Sequence, residues 1–90
     1  MKIKNLPMGG MQIAHSCVGQ FEISTIDTGD YFEVMCFDHR GYEVPSQTNR
    51  CMTRDYALKC HGDLCYRLSN DDRWYNRLAA GDFEYSEEMV

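Results

Sequence analysis

One stretch of the sequence, residues 53–68, has its side chains spaced for an amphipathic helix. At about 100° per residue, one face collects Ala57, Leu58, Cys60, His61, Leu64, Cys65 and Leu68. Thr53 is a residue type that often caps a helix N-terminus, and Asp55 adds favourable negative charge to the first turn. A helix with one apolar face must bury that face against another element, so the rest of the chain has to supply a packing partner.

The residues before this helix predict a short antiparallel sheet as that partner. The predicted strands are residues 20–26, 31–37 and 42–52. Turn residues separate them, and Gly41 is expected to take a positive φ in the second turn. Pro45 interrupts the last strand, which favours an edge position. The predicted fold is α+β: a three-stranded antiparallel meander with helix 53–68 across one face.

The segments at the start of the chain are less regular. Residues 1–10 contain Pro7 and a Gly pair and are predicted to be a leader that is at most partly ordered. Residues 11–17 are compatible with either a first strand or an irregular arm. Ninety residues suit one domain, so we expect residues 1–90 to fold as a single unit.

A short second helix is predicted over residues 71–80, after a cap supplied by Ser69 and Asn70. This helix would turn Trp74, Leu78 and the stem of Arg77 inward, and Gly81 would end it. The remaining residues, 82–90, form an acidic tail.

The net charge of −5 is concentrated at the C-terminus. Residues 71–90 hold two Arg and six Asp or Glu, whereas residues 1–70 are almost balanced. Direct binding of nucleic acid or of an anionic membrane requires a basic surface, and none is visible. The charge favours a protein partner with a basic surface. A homo-oligomer is an open alternative.

Five cysteines and no signal-peptide pattern indicate a reducing compartment, the cytoplasm. Zinc ligand types cluster at Cys51, Cys60, His61 and Cys65, but their spacing is poor. Cys60 and His61 are adjacent on the helix and point about 100° apart, so only His61 and Cys65 share a side. We therefore expect no metal and no cofactor, with Cys51, His61 and Cys65 as the alternative zinc set.

No phosphate-binding Gly loop, nucleophile elbow or metalloprotease motif is present, so the chain is predicted not to be an enzyme. Cys65 with His61 would be a conceivable nucleophilic pair, but both lie on the helix face expected to be buried. His15 and His39 are read as isolated residues.

Two surfaces are predicted to bind a partner. If one face of the central strand packs on the helix, then Tyr31, Met35 and Phe37 face the other way and can act as anchors. The acidic tail would steer the chain toward a basic partner. Its charged residues are Asp82, Glu84, Glu87 and Glu88.

The order of elements, with the Asp38–Gly41 hairpin followed by a helix beginning Thr53-Arg54-Asp55 and containing Ala57 and His61, resembles small phage accessory proteins over residues 20–68. In size, charge and architecture the chain also resembles phage anti-CRISPR and anti-restriction inhibitors. That resemblance implies a non-enzymatic inhibitor of a host nucleic-acid-handling protein, such as a CRISPR-Cas effector. It also implies that the cytoplasm in question is that of the host cell. The alternatives are a small zinc- or thiol-dependent regulatory module and a phage structural or assembly component.

Overall fold

A computed structural model describes residues 10–44 and 47–81. Within these ranges the chain forms four strands and two helices. They are β1 (Met11–Val18), β2 (Phe21–Asp27), β3 (Phe32–Phe37), β4 (Asn49–Cys51), α1 (Arg54–Asn70) and α2 (Asp72–Ala79). The strands form one sheet in chain order, and every neighbouring pair is antiparallel. Because α1 packs across one face of this sheet, the predicted α+β class is confirmed.

The sheet differs from the predicted meander at both of its edges. Residues 11–17, for which the sequence allowed either a strand or an irregular arm, belong to strand β1. This strand pairs with β2, and its register shifts between Gln12 and Ala14. The predicted strand 42–52 is reduced to a single bridge between Phe37 and Glu43 and the three residues of β4. Proline has no N–H for a strand ladder, which agrees with a break near Pro45, although Pro45 itself lies outside the described residues.

Helix α1 begins and packs as the spacing predicts. Thr53 has extended backbone angles, and its hydroxyl accepts a hydrogen bond from the Tyr56 N–H at 3.2 Å. The helix continues to Asn70, two residues beyond the predicted end. Its buried side chains are Ala57, His61, Leu64 and Leu68. Leu58 was expected on the same face, but it is 37% exposed because it lies at the edge of the apolar stripe.

Helix α2 is capped one residue later than the sequence suggests. The Asp71 carboxylate accepts from the Trp74 N–H at 3.0 Å. Ser69 and Asn70 do not cap α2, because their side chains donate back to carbonyl oxygens of α1. The expected burial of Trp74 and Leu78 is confirmed, and the positive φ of Gly81 ends the helix. Arg77, whose stem was expected to turn inward, is exposed.

Strand β2 lies in the interior of the sheet and is buried from Phe21 to Ile26. Phe21 and Ile23 belong to the main core beneath α1. Because successive residues of a strand point to opposite faces, Glu22 and Ser24 point away from α1. Ile26 lies on that second face and forms a smaller apolar cluster with Met35 and Phe37. Thr25 is buried on the α1 side, so this one strand buries polar groups on both faces of the sheet.

The turn between β1 and β2 is tied to α2 through Tyr75. The Gln20 N–H donates to the Tyr75 hydroxyl at 2.7 Å, and the Tyr75 ring makes an edge-on contact with Phe21. Gly19 has a φ of +58°, and a Cβ added there would overlap the Tyr75 ring. Only glycine combines this backbone angle with so close an approach.

We expect Gly19→Ala to destabilise the protein more than Gly29→Ala. Both glycines have positive φ, so each alanine should cost about 1–2 kcal/mol of backbone strain. Nothing lies within 4 Å of a Cβ at Gly29, whereas the overlap with Tyr75 should add about 1–3 kcal/mol at Gly19. Urea unfolding of the two variants measures the difference. Equal losses would contradict the packing of Tyr75 on this turn.

Candidate functional site

The predicted anchors on β3 and beside it are less accessible than the sequence suggests. Met35 is 5% exposed and Phe37 is 1% exposed, so the expectation of an open face is wrong for these two side chains. Both faces of β3 are buried here, with Val34 and Cys36 in the main core. Tyr31 is half-buried, and the Arg50 guanidinium stacks on its ring at 4.1 Å. Of the three predicted anchors, only Tyr31 offers appreciable area to a partner.

The charged residues of the acidic tail, Asp82, Glu84, Glu87 and Glu88, lie outside the described residues. Their role in steering the chain toward a basic partner stays a prediction.

His61 joins α1 to two strands by hydrogen bonds to hydroxyl groups. Its Nδ1 is 2.8 Å from the Thr25 hydroxyl on β2, and its Nε2 is 2.9 Å from the Ser16 hydroxyl on β1. A neutral imidazole donates through one nitrogen and accepts through the other, and a hydroxyl can do either, so the ring is satisfied in both tautomers. Burial, and then the neighbouring His15, lower the pKa of His61 and favour this neutral form.

The same geometry does not make Ser16 a convincing nucleophile. In a hydrolytic triad a carboxylate orients the imidazole and stabilises its charged form, whereas here the neutral hydroxyl of Thr25 occupies that position. His61 is only 7% exposed and lies between helix and sheet. The arrangement supports a structural role for the imidazole, in the place where the apolar spacing of α1 predicts a core residue.

The alternative zinc set of Cys51, His61 and Cys65 is not brought together. Both nitrogens of His61 already have hydroxyl partners. Cys51 lies beside Cys60, whereas Cys65 lies near Cys36. Burial, and then the neighbouring Cys65, raise the pKa of Cys36 to about 12, and burial followed by Cys60 raises the pKa of Cys51. Protonated thiols are poor metal ligands and poor nucleophiles, so these cysteines fit the role of small core residues.

A different set of potential ligands meets on the opposite face of the sheet. Among the described residues, His15, Cys17 and Glu22 are the group whose ligand atoms all lie within 4.8 Å of one another. Sequence reasoning treated His15 as isolated. The available signal was that His15 and Cys17 are two apart and share a strand face, but the contribution of Glu22 depends on the pairing of β1 with β2.

The solvent face of α1 carries an unusual stripe. Leu58, Gly62 and Tyr66 follow one another at intervals of four residues, which places them side by side along the helix. Tyr66 is 71% exposed, and nothing lies within 4 Å of a Cβ added at Gly62. We refer to Leu58, Gly62 and Tyr66 as the outer stripe. It combines an exposed aromatic ring with a shallow notch in the helix surface at Gly62.

Comparison with known proteins gives no relative: no family model, curated protein or solved structure matches the chain. Within the described ranges, neither helix has the length and apolar character needed to cross a membrane.

The His61 hydrogen bonds predict a non-additive pair of substitutions. His61→Leu leaves the buried Thr25 hydroxyl without its imidazole partner, and Thr25→Val leaves Nδ1 without its hydroxyl, so each should cost about 1–3 kcal/mol. The double variant removes both groups and should lose less than the sum of the two. Urea unfolding of the three variants gives the coupling. Strict additivity would show that the hydrogen bond contributes nothing.

A pH dependence follows from the lowered pKa of His61. The unfolded chain takes up a proton at an ordinary histidine pKa, about 6.5, before the folded protein does. The stability that the neutral His61 contributes is therefore complete above about pH 6.5. It is lost as the pH falls toward the pKa of His61 in the folded protein. The free energy of unfolding should decrease more steeply from about pH 7 to pH 5 in the wild type than in His61→Leu. The exposed His39 provides the control: His39→Leu should keep the wild-type slope. Equal slopes for all three proteins would contradict a buried neutral His61.

Proposed function

We propose that this protein acts by binding another protein, as an inhibitor of a host nucleic-acid-handling protein such as a CRISPR-Cas effector. The observation that carries the proposal is the outer stripe of α1. A helix face in water is ordinarily polar, whereas this one presents Leu58 and an exposed Tyr66 on either side of Gly62. Tyrosine is among the residues that most often dominate the free energy of protein binding.

Gly62 supports a contact with something outside the chain. Glycine inside a helix costs roughly 0.5–1 kcal/mol relative to alanine. No atom lies within 4 Å of the position that an alanine Cβ would occupy, so packing within the described residues does not require glycine there. A partner that packs closely over the notch between Leu58 and Tyr66 would account for it.

Charge supports a basic partner. Proteins that handle nucleic acid present basic surfaces to phosphates, and a chain with a net charge of −5 is attracted to such surfaces. Helix α1 itself adds no net negative charge, because its basic residues Arg54, Lys59 and Arg67 outnumber Asp55 and Asp63. The attraction is therefore assigned to the acidic tail, with Asp82, Glu84, Glu87 and Glu88.

The absence of an accessible catalytic arrangement among the described residues is compatible with a binding role. Ser16 and His61 are the nearest approach to a nucleophile and base, and they lack an orienting carboxylate. A zinc-dependent regulatory module is the second candidate, because His15, Cys17 and Glu22 offer ligands that the sequence did not single out.

The binding proposal predicts opposite effects of one substitution on stability and affinity. Gly62→Ala should raise the free energy of unfolding by roughly 0.5–1 kcal/mol, because alanine is the better helix residue and has room. The same variant should weaken partner binding, since the methyl group fills the notch. Tyr66→Ala should weaken binding by about 2 kcal/mol or more if it is a central anchor.

The partner is first isolated by affinity capture from host lysate with the wild-type chain, and is then titrated with each variant. Tyr42→Ala is the matched control, because Tyr42 is also an exposed tyrosine but lies on the hairpin after β3. Tyr31→Ala tests the anchor suggested by the sequence in the same titration. If Tyr66→Ala and Gly62→Ala bind as tightly as Tyr42→Ala, the outer stripe is not the interface. If the wild-type chain captures no specific partner from the lysate, the proposed inhibitor function is itself contradicted.

A further inference from the structure

The pairing of β1 with β2 places three metal-ligating side chains on one face of the sheet. Ser16 points toward α1, where it meets His61, so its neighbours His15 and Cys17 point to the opposite face. Glu22 is the direct cross-strand partner of Cys17 and lies on the same face. Residues two apart on one strand and directly opposite on the next are the closest neighbours that a sheet provides.

The ligand atoms of these residues are close to the spacing that one metal ion requires. All three lie within 4.8 Å of one another. Tetrahedral zinc with bonds of about 2.0–2.3 Å would hold them about 3.3–3.8 Å apart. His15 and Cys17 are exposed, so rotation of their side chains can close the difference without movement of the backbone. Their exposure also gives an ion a route to the site.

Glu22 supplies a separate observation. Its side chain is only 3% exposed, and Oε2 is hydrogen-bonded to Nε2 of His15. The other oxygen, Oε1, is buried and has no hydrogen-bond partner among the described residues. A buried carboxylate oxygen without a partner is costly. A cation bound between Glu22, His15 and Cys17 would remove that cost.

From these contacts we propose that His15, Cys17 and Glu22 form a zinc-binding site on the sheet face opposite α1. The combination of imidazole, thiolate and carboxylate suits zinc and disfavours magnesium and calcium, which prefer oxygen ligands alone. A thiolate and a carboxylate also balance the two positive charges of the ion.

Three protein ligands leave one coordination position open. Cys17 and Glu22 line a cavity of about 180 Å³ together with Gly19, Gln20, Phe21 and His39. This volume has room for a water molecule as the fourth ligand, the usual arrangement in zinc sites with three protein ligands. A zinc ion with an exchangeable position can also accept a side chain of another protein, so the site is compatible with a binding function without depending on it.

The test is a titration of the full chain with zinc sulfate after treatment with a chelator and without a polyhistidine tag. Calorimetry should give one zinc per chain, and cobalt added in place of zinc should produce a thiolate-to-cobalt absorption band. His15→Ala, Cys17→Ser and Glu22→Gln should each weaken zinc binding about tenfold or more, because even loss of an indirect partner of a metal ligand commonly costs about 10–100-fold. Cys17→Ser should also abolish the cobalt band.

Two controls keep the result specific. Glu33→Gln alters a partly buried carboxylate on β3, and Cys60→Ser alters a partly buried thiol on α1, so neither should change zinc affinity. Thermal unfolding without metal checks that each variant folds. If Glu22→Gln does not fold, the exposed His15 and Cys17 still decide the question. No zinc binding, or zinc binding unchanged in the His15 and Cys17 variants, would overturn the proposal.

Discussion

The polar side chains of β2 must find partners within the protein, because this strand is buried from Phe21 to Ile26. A buried polar group without a hydrogen bond or a charge partner costs free energy comparable to a substantial share of the stability of a small domain. Two histidines meet this requirement in part, from opposite faces of the sheet, while the Ser24 hydroxyl and Glu22 Oε1 have no hydrogen-bond partner among the described residues. His61 of α1 binds Thr25 on one face, and His15 of β1 binds Glu22 on the other.

The first of these contacts fixes how the helix lies on the sheet. His61 contacts both β1 and β2, so α1 cannot slide or rotate without losing two hydrogen bonds. With His61 turned inward together with Ala57, Leu64 and Leu68, the residues on the opposite side of the helix must face outward. Gly62 and Tyr66 lie on that opposite side and are exposed for this reason. The proposed interface is thus a geometric consequence of the same packing that buries the imidazole.

Helix α1 and strands β2 and β3 could be predicted from the sequence because their signals are local. The cap at Thr53 and the spacing of Ala57, Leu64 and Leu68 require only neighbouring residues. The shortening of the predicted strand 42–52 to β4 could not be foreseen, since its length depends on which residues pair with β3. The burial of Met35 and Phe37 was also missed. The alternation of side chains along a strand tells which face of the sheet a residue takes, but it does not tell whether other residues cover that face.

The grouping of His15, Cys17 and Glu22 could not be predicted from the sequence for a related reason. Strand periodicity places His15 and Cys17 on one face, but Glu22 joins them only through the register of β1 against β2. A β-strand pairing that slipped by one residue would turn Glu22 to the other face of the sheet. Candidate ligands from different strands therefore become visible only when the sheet is known.

The central claim is that the two histidines bound to β2 have different roles, one structural and one available to a metal. Nitrogen-15 NMR of the three imidazoles, recorded near neutral pH before and after addition of zinc, tests it most directly. The account predicts that His61 is neutral and unchanged by zinc, while the resonances of His15 shift as its nitrogen binds the ion. A charged His61 at neutral pH, or a zinc response at His61 in place of His15, would contradict it.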